Sequence, residues 1–184
     1  MGKNIRRCTY ILLIFSQKCD ILCRYTYIKR YLPMIITFCG HSQFARTAEY
    51  EQKILAFLEE KVGDNPVDFY LGGYGSFDSF AYDCCKKYKA IHPGVSLIFI
   101  TPYMTVEYQQ NHLEYQKTRY DEIIYPEIED KPPRFAITYR NRWMVEQADY
   151  VICGINHDWG GAYKTYQYAK RKKKHIFNVT EKEF

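Results

Sequence analysis

Apolar runs of about five residues alternate along the chain with longer stretches in which apolar side chains return every three or four positions. The short runs suit strands buried on both faces of a sheet, and the longer stretches suit helices packed along one side. From residue 34 onward the order is strand 35–39, then a helix over 44–62 with Tyr50, Ile54, Leu58 and Val62 on one face. Gly63-Asp64-Asn65-Pro66 stops that helix, and strand 67–71 follows. A second helix keeps Phe77, Phe80, Ala81, Cys84 and Tyr88 in register before His92-Pro93-Gly94 closes the unit. Strand 95–100 is nearly all apolar, residues 103–120 are polar, aromatic and helical in part, and 122–125 forms a short fourth strand. Pro132-Pro133 opens a helix that runs to Gln147, strand 150–154 comes next, and a helix over 161–172 leads to a last strand at 175–179. This alternation predicts an α/β fold, doubly wound, with a mostly parallel sheet and helices on both faces.

Two glycine-rich turns sit where such a fold collects ligands, between the carboxyl end of a strand and the start of a helix. The first is Gly72-Gly73-Tyr74-Gly75-Ser76-Phe77-Asp78. It misses the dinucleotide fingerprint, because Asp78 stands where the third glycine belongs and Thr101-Pro102 stands where an acid would meet the ribose. Ordinary NAD binding is therefore not expected. The glycines still admit a ligand close to the backbone, Ser76 offers a hydroxyl, and Asp78 either caps the helix or accepts from a ligand hydroxyl. The second turn, Trp159-Gly160-Gly161-Ala162-Tyr163-Lys164-Thr165, lacks P-loop spacing, yet it places Lys164 and Thr165 in a first helical turn that can meet a phosphate. Gly40, His41 and Ser42 follow the first strand at the same edge, and Arg140 and Asn141 lie on the helix before the fifth strand. His41 and His157, each taken alone, read as polar loop residues.

Charge changes the picture in one respect. The net charge is +5, but residues 1–33 hold seven Lys or Arg and one acid, leaving 19 basic and 20 acidic side chains in the remainder. The expected domain, 34–184, is near neutral, and the run Lys170 to His175 reads as a solvated helix end. On that balance nucleic acid is not expected as a partner. Residues 1–33 read as an unstructured or mis-assigned extension ahead of a start at Met34, with a weak membrane-surface anchor as the rival reading. Their apolar run, 10–15, is too short to span a bilayer, so no transmembrane segment is expected. The seven cysteines form neither a metal nor a disulfide signature, which fits a reducing cytoplasm; no metal or cofactor is expected.

The ordered motifs, strand-Gly-His-Ser, strand-Gly-Gly-x-Gly-x-x-Asp, Asn141-x-Trp143-Met144 ahead of Ala148-Asp149, then Gly160-Gly161 opening a helix, resemble the SLOG superfamily over residues 34–180. This group joins the DprA (Smf) and LOG proteins, and the chain looks closest to its YpsA-like bacterial branch. The resemblance implies a single Rossmann-like domain with a pocket for a nucleotide or nucleotide-derived molecule at the glycine turns, and a homo-oligomer is compatible with it. The LOG branch hydrolyses the N-glycosidic bond of nucleoside monophosphates, using an arginine, which Arg140 matches, and a glutamate, whose position here is Gln167. An amide cannot supply the carboxylate, so the resemblance favours binding over catalysis, with LOG-like hydrolysis and DprA-like single-stranded DNA binding as the alternatives.

Overall fold

The computed structural model describes residues 32–182, and the N-terminal stretch expected to be an extension lies almost wholly outside them. Among the described residues six strands form one sheet in the order β4-β3-β2-β1-β5-β6: β1 Met34–Gly40, β2 Val67–Leu71, β3 Val95–Ile100, β4 Glu122–Ile124, β5 Tyr150–Gly154 and β6 His175–Asn178. Every pairing is parallel. Among the described residues the four longer helices pack on the sheet: α1 Ala48–Lys61, α2 Ser76–Lys89, α3 Ala136–Gln147 and α4 Gly160–Arg171. Among the described residues no helix is long and apolar enough to cross a membrane.

The alternation of side chains along each strand explains why the strands read as continuous apolar runs. Ile36 and Phe38 of β1, Phe69 and Leu71 of β2, and Leu97 and Phe99 of β3 share one core with Ile54 and Leu58 of α1 and Phe77, Phe80 and Ala81 of α2. The intervening residues face the other way. Cys39, Val151 and Cys153 pack with Val145, Tyr166 and Ala169, and Tyr70, Ile98 and Ile100 pack with Met144. A sheet covered on both sides needs apolar residues at both parities, so period-two patterning disappears.

The first helix is shorter than its periodicity predicts. It begins at Ala48, where Thr47 accepts a hydrogen bond from the Tyr50 N–H as the N-cap. Phe44 instead plugs the core from the preceding loop, against Phe77 and Phe80. The helix entered through Pro132-Pro133 begins as a 3-10 turn, Pro133–Phe135, before α3 proper.

The strand order reverses direction at the β1–β5 pair, with Gly40 aligned on Gly154. In open α/β sheets such a switch point leaves a crevice outside the carboxyl ends of the two strands, because the connections from them depart to opposite faces. Both glycine turns and the loop after β1 open on this edge.

Candidate functional site

At the switch point the residues following β1 and β5 meet as a stack of rings. His41 and His157 lie 3.4 Å apart between centroids at an interplanar angle of 24°. Trp159 continues the stack, 3.9 Å from His157 at 19°. His41 is buried, whereas Trp159 is 68% exposed, so the outer indole face is presented to solvent. Burial pulls the His41 imidazole below its usual value, and the neighbouring His157 adds to this. His41 is therefore neutral at pH 7, and its Nε2 has no hydrogen-bond partner among the described residues, nor has His157 Nδ1.

Trp159 is also the N-cap of α4, and its side chain makes no capping hydrogen bond. No acid occupies the first turn. Gly160 has φ of +90°, which an L side chain rarely adopts, and a Cβ added at Gly160 or Gly161 would meet nothing within 4 Å. The start of α4 therefore has open space beside both glycines and no side-chain cap, with the positive end of the helix dipole at this point. Lys164 is exposed one turn along. Thr165, by contrast, is buried; its hydroxyl donates to Gly161 O at 3.0 Å and receives the Asn141 amide at 3.5 Å. Both side chains are engaged in tying α3 to α4.

The first glycine turn is held from beneath. Arg140 is fully buried, and its Nη1 donates to Gly72 O and Ile100 O, each at 2.8 Å. A Cβ on Gly72 would fall 2.6 Å from that Nη1 and 2.8 Å from Asp78 Oδ2, so glycine is required for this close approach. Asp78 accepts the Tyr74 N–H at 2.9 Å and closes the turn. Ser76 accepts from the Phe44 N–H at 2.6 Å and donates back to Phe44 O, which ties the turn to the loop after β1. Ser42 contributes its carbonyl to the Ser76 N–H, and Gly40 is where the Phe77 ring crosses the end of β1. Gly73, at φ +74°, has the Phe99 ring against its Cβ position, and Gly75, at φ +90°, has Ser42 against its own. Arg140, Asp78, Ser76, Gly72 and Gly73 therefore shape the edge, His41 lies buried beneath the ring stack, and Trp159, Gly160, Gly161 and Lys164 border its open part.

Burial pushes the Asp78 carboxyl up to about 6, against the opposing influence of the Arg140 guanidinium. The folded chain consequently holds this proton more tightly than the unfolded chain. The associated stabilisation is full below about 3.8 and is lost as pH rises through about 6. Denaturant titrations at several pH values should show wild type losing stability relative to Asp78→Asn across that window. Parallel pH profiles would contradict the assignment.

A second group of rings, which sequence reasoning missed, lies at the carboxyl ends of β2 and β3. Tyr74, Phe99, Tyr103, Tyr108, His112 and Gln116 line a cavity of about 400 Å³. Helical segments Val106–Tyr108 and Glu114–Lys117 flank a π-helical turn, Gln109–Leu113, in the wall of this cavity. The available signal was the interval of four between Tyr108, His112 and Gln116. Among the described residues no cluster of three or more metal-ligating side chains is gathered.

No protein-family model and no curated protein sequence matches the chain. Solved structures do. DNA processing protein A from Helicobacter pylori superposes with a TM-score of 0.53 at 18% identity, over 79% of this chain and 65% of that one. The protein of the same name from Streptococcus pneumoniae gives a TM-score of 0.53 at 13% identity, over 79% of this chain and 50% of that one. The fold is the Rossmann-like fold of DprA. This chain spans about two thirds of one DprA structure and half of the other.

The H. pylori DprA structure concerns a single-stranded DNA binding mode, so a protein of this fold binds nucleic acid and the expectation that ruled nucleic acid out on net charge is corrected. That expectation came from net charge. A near-neutral total does not describe the local field at one edge, where helix N–H groups and ring faces supply contacts that a count of Lys and Arg omits.

Proposed function

We propose that the chain binds single-stranded DNA along the carboxyl edge of its sheet, with a base stacked on Trp159 and a phosphate at the N-terminus of α4. The observation that carries this reading is the three-ring stack at the switch point, whose exposed outer face adjoins an uncapped helix start. Stacking on an aromatic face accepts any base, and first-turn N–H groups accept any phosphate, so the pair suits a strand held without regard to sequence. The single-stranded DNA binding of the H. pylori DprA supports the same reading. Membership of the superfamily that joins DprA and LOG, with the YpsA-like branch as the nearest by motif order, is part of this proposal.

The reading is one of binding. At the LOG glutamate position, Gln167 donates its amide to the Tyr163 hydroxyl within α4, and Asp78 is buried in the first turn. A free nucleotide-derived molecule is the second reading, because one ring face and one helix N-terminus serve a single nucleotide as they serve one unit of a strand. Salt separates the two: affinity for a strand falls steeply with ionic strength as several phosphates release counterions, and affinity for a mononucleotide falls little.

Gly161→Glu tests the α4 subsite through effects of opposite sign. A carboxylate in the first turn complements the dipole, worth about 0.3–1 kcal/mol of helix stability, while repelling phosphate from the same N–H groups. The variant should melt no lower than wild type yet lose oligonucleotide binding. Undiminished binding would remove α4 from the site.

A further inference from the structure

Cys39 and Cys153 are the residues immediately before Gly40 and Gly154, and they are Cα partners on the adjacent parallel strands β1 and β5. Alternation along the two strands sends both side chains to the same side of the sheet, where they pack with Val145, Tyr166 and Ala169. Both are free thiols, and their sulfurs lie 3.3 Å apart although 114 positions separate them in the chain. Neighbouring strands run about 4.8 Å apart, inside the range of about 4.4–6.8 Å that a disulfide accepts between Cα atoms. Closing a bond here asks for side-chain rotation rather than movement of the strands. Cys84 and Cys85, also buried, make the contrast: they are successive residues of α2, with Cα atoms about 3.8 Å apart, short of that range.

We propose that Cys39 and Cys153 are an oxidation site, closed by hydrogen peroxide into an intrachain disulfide that ties β1 to β5 at the switch point. Cys39 reacts first, because it keeps 6% of its surface exposed where Cys153 keeps none, and burial lifts the Cys153 thiol well above its ordinary range. Its sulfur attacks one peroxide oxygen, the O–O bond breaks, and the departing hydroxide takes the thiol proton as water, leaving a sulfenic acid. The Cys153 sulfur then attacks the Cys39 sulfur, the S–O bond breaks, and the hydroxyl leaves with the Cys153 proton as a second water. Two thiols lose two electrons and two protons, and one peroxide becomes two waters. The short sulfur–sulfur distance lets this second step outrun further oxidation of Cys39.

The bridge closes a long loop, so it restricts the unfolded chain and should raise the melting temperature by roughly 5–15 °C. This inference does not depend on what the carboxyl edge binds.

The test is treatment of the folded full chain with hydrogen peroxide, alkylation of the remaining thiols, and mass mapping of a digest made without reductant. The peptides bearing Cys39 and Cys153 should appear joined, lighter than their sum by two hydrogens and separated by a reductant, while Cys84 and Cys85 stay alkylatable after unfolding. Cys153→Ala should stop at a Cys39 sulfenic acid that dimedone captures, and peroxide should leave its melting temperature without the rise seen in wild type. Cys39 and Cys153 recovered as separate alkylated peptides, or Cys39 recovered as sulfinic acid in wild type, would overturn the proposal, and both readings come from wild type alone.

Discussion

Trp159→Ala should weaken single-stranded DNA binding by about 5- to 150-fold without lowering the melting temperature. Stacking of a base on an aromatic ring is worth about 1–3 kcal/mol, which sets that range. Trp159 is 68% exposed, so its indole makes little contribution to the core. It rests on His157, which rests on His41, and the two imidazoles hold the indole plane parallel to the position a base would take. Trp159→Phe keeps a ring on this support and should recover much of the affinity. Fluorescence anisotropy with a labelled oligonucleotide, paired with thermal melting, measures both quantities. An alanine variant that binds like wild type would leave the stack without a role in binding.

Arg140→Met should have the largest effect on stability, a loss of about 3–5 kcal/mol and a melting temperature lower by roughly 10 °C. The guanidinium is fully buried and donates to two carbonyls, Gly72 O from the first glycine turn and Ile100 O from the end of β3. Its removal leaves those carbonyls without their donor and takes the counter-charge from Asp78, which is itself buried. Burial pulls the Arg140 pKa down while Asp78 pushes it up, so the two charges offset part of each other's desolvation. Without the arginine the Asp78 carboxyl should titrate higher still, and the pH window over which stability falls should extend upward. Arg140→Lys retains a charge but lacks the fork, so an intermediate loss is expected. Chemical denaturation across pH reads all three outcomes. A methionine variant as stable as wild type would show that the arginine is dispensable to the turn.

The strands were legible because burial on both faces leaves apolar runs with clean ends. Residues 67–71, 95–100 and 150–154 are strands in the structure over the ranges their composition predicts. The start of α1 was less legible, since Phe44 keeps a helical interval with the apolar face but serves the core from a loop, and the decisive signal was Thr47 as a cap. The glycine turns announced an edge without saying which residues face outward. Arg140 is the sharpest case, because arginine on a helix is ordinarily solvated and its partners lie 68 and 40 residues away in the chain.

The ring stack was illegible for a related reason. His41 and His157 are separated by a long stretch of sequence, and each resembles an ordinary loop histidine. Only the alignment of Gly40 with Gly154 across adjacent parallel strands places them together. The aromatic cavity depends in the same way on the β2 turn meeting the segment after β3. Local pattern reports which residues a strand buries, whereas these sites arise from which strands become neighbours.

Photo-cross-linking of an iodouracil-substituted oligonucleotide to the full chain, with mass mapping of the adduct, reports whether a single strand lies on the carboxyl edge. Adducts should fall on the peptides bearing Trp159 and His157, and should be lost when unlabelled strand competes. Adducts confined to the basic residues 1–33 or to the run Lys170 to Lys174 would place the DNA away from the carboxyl edge and leave the ring stack without a part in binding.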